Sequence, residues 1–278
     1  MRPILFSCSG STADLITLAA LRASDADIRC IVQTPGERTR VDFPGKAAEL
    51  FGGEVPWLQV NVPPLRSFFG PGGGKAAAGE TQSLSRALSW FAAAADGGAV
   101  LVSTARLTLP AIFFLSDPAR AARLSDVAVL GGSIYGGDST PTAEANIYAD
   151  PEAAEIVLAR AKNVTLLPLE TAKQCCVPAE LFPDLLPHAA QTEQTDAAGL
   201  GLLLSLKQPQ AATCAQYRVR VELESAPSRG CTVCDVLCRD KTQPLHTFVT
   251  ALDEAAFSAL ARRASRVWQQ GGISDDKA

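Results

Sequence analysis

Three of the cysteines, Cys231, Cys234 and Cys238, stand in the pattern Cys-x-x-Cys-x-x-x-Cys. Thiolates at such spacing hold zinc when four ligands converge, often as two paired half-sites. The nearest further thiol is Cys214, and neither His188 nor His246 stands at finger spacing. Residues 231 to 237 also read as a strand, in which residues three apart face opposite sides. The spacing therefore argues against zinc, and the eight cysteines read as free thiols packed as small apolar groups in a reducing compartment. A second candidate is the glycine run Gly72-Gly73-Gly74 followed by Lys75. No Ser or Thr follows the lysine and no strand precedes the run, which excludes a nucleotide P-loop. His188 and His246 read as surface or core residues, and Tyr148 and Trp57 as packing residues rather than ligand platforms.

The remaining polar residues of interest stand where apolar runs end. Strands are expected at Ile4 to Cys8, Ile28 to Gln33, Trp57 to Val60, Ala99 to Ser103, Val127 to Leu130 and Val164 to Leu167, with a last one at Phe248 to Leu252. Residues 217 to 223 and 231 to 237 read as a pair of strands. Helices are expected at Thr12 to Arg22, Gly45 to Phe51, Ser83 to Ala95, Leu109 to Leu115, Pro151 to Arg160, Ala198 to Leu206 and Asp253 to Gln269. Asp150 is placed to cap the helix that opens with Pro151. This alternation predicts a single α/β domain, doubly wound around a mainly parallel sheet. Residues 61–80 read as an irregular loop and 271–278 as a tail. Ligands of such sheets bind outside the carboxyl ends of the strands. Those ends are Ser7 to Thr12, Thr34 to Glu37, Ser103 to Arg106, Gly131 to Asn146 and Leu169 to Lys173.

Composition narrows the class. Of 278 residues, 47% are hydrophobic and 19% charged, enough for a large core and too little charge for a disordered chain. The formal net charge of −4 argues against a broad nucleic-acid surface. No apolar run approaches the length of a membrane span, and the first residues lead straight into a strand, unlike a cleaved signal. The expectation is an intracellular protein without membrane insertion, cytoplasmic by default and mitochondrial as the alternative.

One stretch is highly patterned: Leu130-Gly-Gly-Ser-Ile-Tyr-Gly-Gly-Asp-Ser-Thr-Pro-Thr-Ala-Glu-Ala-Asn-Ile-Tyr-Ala-Asp-Pro-Glu-Ala-Ala154. It resembles the inosine-uridine nucleoside hydrolase family, in which a strand ending in Gly-Gly leads into a loop with an Asn, a Thr-Pro and Ala-Glu-x-Asn-x-x-x-Asp-Pro-Glu-Ala-Ala. Leu101 to Leu109 is similar to the family's strand and Gly-Pro-Leu-Thr-Asn turn. Pro168-Leu-Glu-Thr171 resembles Pro-Leu-Asp-Val-Thr, and Arg229-Gly-Cys-Thr-Val-Cys-Asp235 resembles Arg-Gly-x-Thr-x-x-Asp. Thr250 to Phe257 resembles the closing strand and helix. The resemblance runs nearly end to end, with a shortened region around residues 175–195.

The resemblance implies hydrolysis of ribonucleoside N-glycosidic bonds, with calcium gripping the ribose diol and a water that an aspartate deprotonates. It also implies which positions carry that chemistry, and here most have changed. The family's Asp-x-Asp-x-x-x-Asp-Asp reads Ser7-Cys8-Ser9-Gly10-Ser11-Thr12-Ala13-Asp14. Ser9 stands at the general base and Ala13 at the ribose-binding aspartate. Glu37 replaces the asparagine after the second strand, Asp138 replaces the loop asparagine, and a late His-Asp pair reads Thr195-Asp196. By the resemblance, Asp14, Asp196 and the carbonyl position of Thr104 match calcium ligands, and Glu144 and Asn146 match contacts to the 5′ end of the sugar. Each survivor also has a structural reading: Asp14 and Asp196 as helix caps, Glu144 and Asn146 as a buried network holding their loop.

Serine is neutral at pH 7 and a poor base. The sequence therefore predicts a catalytically inactive member of the family, a structural or binding subunit of a larger assembly. Its partners would be other protein subunits or further copies of itself, with no cofactor, no nucleic acid and at most a small nucleoside ligand. The competing reading is an active ribonucleoside hydrolase with a rearranged site, in which calcium is retained and Glu37 or Asp138 serves as base.

Overall fold

The computed structural model describes residues 2–35, 41–65, 84–186 and 198–271. From the N-terminus the elements run β1 (Ile4–Cys8), α1 (Thr12–Ala23), β2 (Ile28–Gln33), α2 (Phe43–Phe51), β3 (Trp57–Gln59), α3 (Leu84–Asp96), β4 (Val100–Ser103), α4 (Thr108–Ser116) and α5 (Pro118–Ala121). They continue with β5 (Asp126–Leu130), α6 (Ala145–Ala149), α7 (Pro151–Arg160), β6 (Val164–Leu167), α8 (Leu169–Ala172), α9 (Ala198–Lys207), β7 (Ala212–Val221), β8 (Thr232–Asp235), β9 (Leu245–Leu252) and α10 (Glu254–Gly271).

The strands form one sheet in the order β3-β2-β1-β4-β5-β6-β9-β7-β8. The pairs from β3 to β9 are parallel, whereas β7 runs antiparallel to both β9 and β8. The interior strand β1 shows why: all five of its residues are buried, with Ile4, Phe6 and Cys8 entering one core and Leu5 the other. Burial on both faces is the mark of a parallel strand between helix layers. Helices α1, α9 and α10 pack with one another on the first face. Residues of α3, α4 and α7 fill the core on the second. The expected single α/β domain with a mainly parallel sheet is what is found.

The α7 prediction holds to the residue. Asp150 accepts from the Ala153 N–H and Pro151 opens the helix, where its missing N–H costs nothing. At the β7–β8–β9 edge, β7 and β9 start earlier than expected, while β7 ends at Val221 and β8 covers only Thr232–Asp235 of the expected 231–237. β7 begins at Ala212 and β9 at Leu245, because their antiparallel pairing runs from Ala212 opposite Leu252 to Arg218 opposite Leu245. Exposed Gln216 and Arg220 break the apolar run there. Cys231 immediately precedes β8 and Cys234 lies within it. Among the described residues no three His, Cys, Asp or Glu side chains come together as metal ligands. Likewise, no helix among them is long and apolar enough to cross a membrane. Most of the expected 61–80 loop and of the expected tail lies outside the described residues; Gly271 closes α10.

Candidate functional site

The carboxyl ends of β1, β4, β5 and β6 lie side by side along one edge of the sheet, with the turn after β1 at one end of this row. Gly10 there has φ +84°, and a Cβ would fall 1.9 Å from Gln33 Nε2. Only glycine takes this conformation at this spacing without displacing a neighbour. Ser11 caps α1, and Asp14 at the third helical position completes a reciprocal capping box.

Asp14 does more than cap. It is buried. Its Oδ2 accepts from Ser9 Oγ at 2.8 Å, Gly10 N at 2.9 Å, Ser11 N at 2.8 Å and Ser11 Oγ at 3.0 Å. Its Oδ1 accepts from the Thr104 hydroxyl at the end of β4. One carboxylate thus ties the β1–α1 turn to β4. Its charge joins burial in pushing the Cys8 thiol well above its ordinary pKa, with burial the larger cause. Ser7 is fully buried and its Oγ has no partner. Ala13 is half-buried. Glu37, His188, Thr195 and Asp196 lie outside the described residues.

The loop after β5 is held in the same manner. Glu144 caps α6, accepting from Asn146 N at 2.9 Å and Ile147 N at 3.2 Å, and reaches back to Gly132 N at 2.9 Å. Burial pushes its carboxyl up to about 7, partly opposed by those three N–H bonds and reinforced by the charge of Asp138. Asn146 Nδ2 donates to Leu130 O at 2.9 Å, and exposed Asp138 accepts from Ala145 N at 2.9 Å. These contacts realise the loop-holding reading of Glu144 and Asn146.

Two residues escaped the sequence reading. Glu170, on the single turn α8, accepts from Ile134 N and Tyr135 N at 2.9 Å each and from the Ser133 hydroxyl. Its place in Pro168-Leu-Glu-Thr171, at a strand end, was the available signal. Arg106 follows β4 and donates to Val62 O at 2.8 Å; a charged residue in the short turn between β4 and α4 is the signal. His246 is a core residue: burial lowers its pKa to about 4. Trp57 packs against the first core and Tyr148 lies against Gly230, both as packing residues.

Calcium takes six to eight oxygens and favours several carboxylates. Of the residues matched to it, the described ones are Asp14 and Thr104. Asp14 receives fixed backbone N–H groups on one oxygen, and the Thr104 hydroxyl on the other. This described set does not fit calcium.

Residues 15–259 match the family described as inosine-uridine preferring nucleoside hydrolase. The chain belongs to this family. A nucleoside hydrolase relative, the pyrimidine-specific ribonucleoside hydrolase RihB of Escherichia coli O1:K1, is 29% identical over 168 residues, covering 52% of this chain and 53% of that protein. The chain thus aligns with about half the length of that relative. A plant nucleoside hydrolase structure, the PpNRh1 enzyme, superposes with a TM-score of 0.76 at 17% identity over 95% of this chain and 98% of that one. The purine-preferring ribonucleoside hydrolase from Gardnerella vaginalis gives 0.73 at 17% identity over 96% and 99%. The nucleoside hydrolase fold is therefore present across the chain.

Proposed function

We propose that this chain keeps the nucleoside hydrolase fold without the hydrolysis, and serves as a structural or binding subunit of a larger assembly. The observation that carries this reading is the hydrogen bond from Ser9 Oγ to Asp14. At the position of the general base stands a neutral hydroxyl, and its proton is directed at the neighbouring carboxylate. Removing a general base alone costs about 10² to 10⁴ in rate. Ala13 offers no group to a ribose hydroxyl, which removes a further transition-state contact. Any nucleoside that still enters would be bound and not cleaved.

The second reading, an active ribonucleoside hydrolase with a rearranged site, draws support from the relatives' names and from Glu144. A buried carboxyl whose pKa is raised to about 7 has the value a general acid or base needs at neutral pH. Against it, the carboxyl is engaged by three backbone N–H groups, and Asp138 is engaged by Ala145 N. The deciding assay gives purified protein inosine, uridine and adenosine with calcium and follows free base by absorbance. Turnover well below about 1 s⁻¹, the low end of ordinary enzyme rates, is expected. Turnover above it, lost on Glu144→Gln, Glu37→Gln or Asp138→Asn, would establish the second reading. Subunit status is checked by sedimentation of the native complex, where a lone monomer would count against it.

A further inference from the structure

The second face of the sheet carries polar groups at its carboxyl edge that the site above leaves unused. Leu5, Val32 and Leu101 point into the second core. Two residues further along each strand, Ser7, Thr34 and Ser103 follow on that face. The register sets Ser7 beside Val32 on β2 and beside Ser103 on β4. Ser7 and Ser103 therefore lie side by side, and Thr34 follows on the same face just past the end of β2, two residues beyond Val32, the neighbour of Ser7. Ser103 Oγ donates to Ala105 O at 3.1 Å. Ser7 Oγ and Thr34 Oγ1 have no partner, although Ser7 is 0% and Thr34 2% exposed.

Arg106 belongs to the same region. It leaves the end of β4 and reaches Val62 O, and Val62 itself lies in the second core. The segment 60–65 starts at β2, where Val60 N donates to Gln33 O, and ends at α7, where Leu65 N donates to Asp150. Arg106 thereby links the end of β4 to the segment after β3, with β1 and β2 between them in the sheet order. Its Nε is buried without a partner, and no carboxylate among the described residues forms a salt bridge with it within 4.0 Å. Asp150 is the nearby charge, and its carboxylate already accepts from Leu65 N, Ala153 N and the Thr108 hydroxyl. Asp14, the carboxylate at the end of β1, is engaged by five donors of its own. A half-buried cation without an ion pair and two buried hydroxyls without partners are each unfavourable alone. Together they are a donor set lacking an acceptor.

We propose that this face of the strand ends binds a small oxyanion, held by the Arg106 guanidinium and the Ser7 and Thr34 hydroxyls. Entry takes a local displacement of segment 60–65, which Arg106 itself ties down. The inference stands whether or not the protein hydrolyses nucleosides. The chemistry is that of a phosphate group or a carboxylate, both of which accept from a guanidinium fork.

Calorimetric titration of the full chain with inorganic phosphate, acetate, ribose 5-phosphate and ribose tests this. Saturable binding of phosphate or of acetate is expected, and their ratio identifies the oxyanion. Ribose 5-phosphate follows phosphate, and ribose without phosphate does not bind. Arg106→Gln should weaken binding about ten- to a hundredfold, and Thr34→Val or Ser7→Ala about fivefold. The latter two remove orphaned hydroxyls, so their melting temperatures hold or rise, and they keep the test open if Arg106→Gln unfolds. No saturable binding of either anion, or equal affinity in Thr34→Val and Ser7→Ala, overturns the proposal.

Discussion

The turn after β1 and the loop after β5 use one device to different ends. In each, a buried carboxylate gathers backbone N–H groups: Asp14 takes those of Gly10 and Ser11, Glu144 those of Gly132, Asn146 and Ile147. The β5 loop has two further ties in Asp138 and Glu170. The β1 turn has Asp14 and a ring of hydroxyls. The match to the family begins at residue 15, so it takes in the β5 loop with Glu144 and Asn146 and starts just after the β1 turn, which carries Ser7, Ser9 and Ala13. On the function proposed above, a carboxylate that holds backbone in place remains useful without the chemistry around it, and one that only binds ligand does not.

The largest effect should come from the region with the fewest ties. Asp14→Ala leaves two backbone N–H groups and the Thr104 hydroxyl without their acceptor, and is expected to cost about 4 kcal/mol in denaturant unfolding. Glu144→Ala should cost less, about 2 to 3 kcal/mol, because Asp138 and Glu170 still hold the loop. Equal losses would mean that the two carboxylates are not distinguished by their surroundings. Gly10→Ala tests the same turn from the backbone side. The positive φ and the contact with Gln33 predict a loss of about 2 kcal/mol, read as a lower melting temperature with Asp14 intact.

Stability against pH separates the regions further. The folded pKa of Glu144 is raised, so its contribution is full below about 4.5 and is lost as pH rises through about 7. The folded pKa of His246 is lowered to about 4, so its contribution is full above about 6.5 and is lost as pH falls from there through about 4. Each amounts to about 3 kcal/mol and they oppose one another between pH 4.5 and 6.5, so their sum is nearly flat there. Glu144→Gln should unmask a fall in stability toward acid, and His246→Phe a fall toward neutral pH. Identical pH profiles in wild type and both variants would remove these groups from the account.

Much of this fold is legible in the sequence, and the reasons are local. β2 and β6 are found at their expected bounds because buried apolar runs end at turn residues, and α7 because Asp150-Pro151 marks its start. The short helices α5, α6 and α8 were missed because four or five residues carry no helical period. At the site, the positions were legible and their partnerships were not. Thr104 lies 90 residues from Asp14, and Glu170 lies 36 from Ile134. No spacing rule reports such contacts; the sheet order brings them together. The same holds for the partner of Arg106, since Val62 lies 44 residues away.

The central claim is that Asp14 is a hub for backbone and hydroxyl donors and not a calcium ligand. It is tested most directly by calorimetric titration of the native protein with calcium, alongside Asp14→Asn. The account predicts no binding at micromolar calcium and no calcium-dependent rise in melting temperature for either protein. A micromolar dissociation constant in the wild type, abolished by Asp14→Asn, would show that the site still holds the metal and would contradict it.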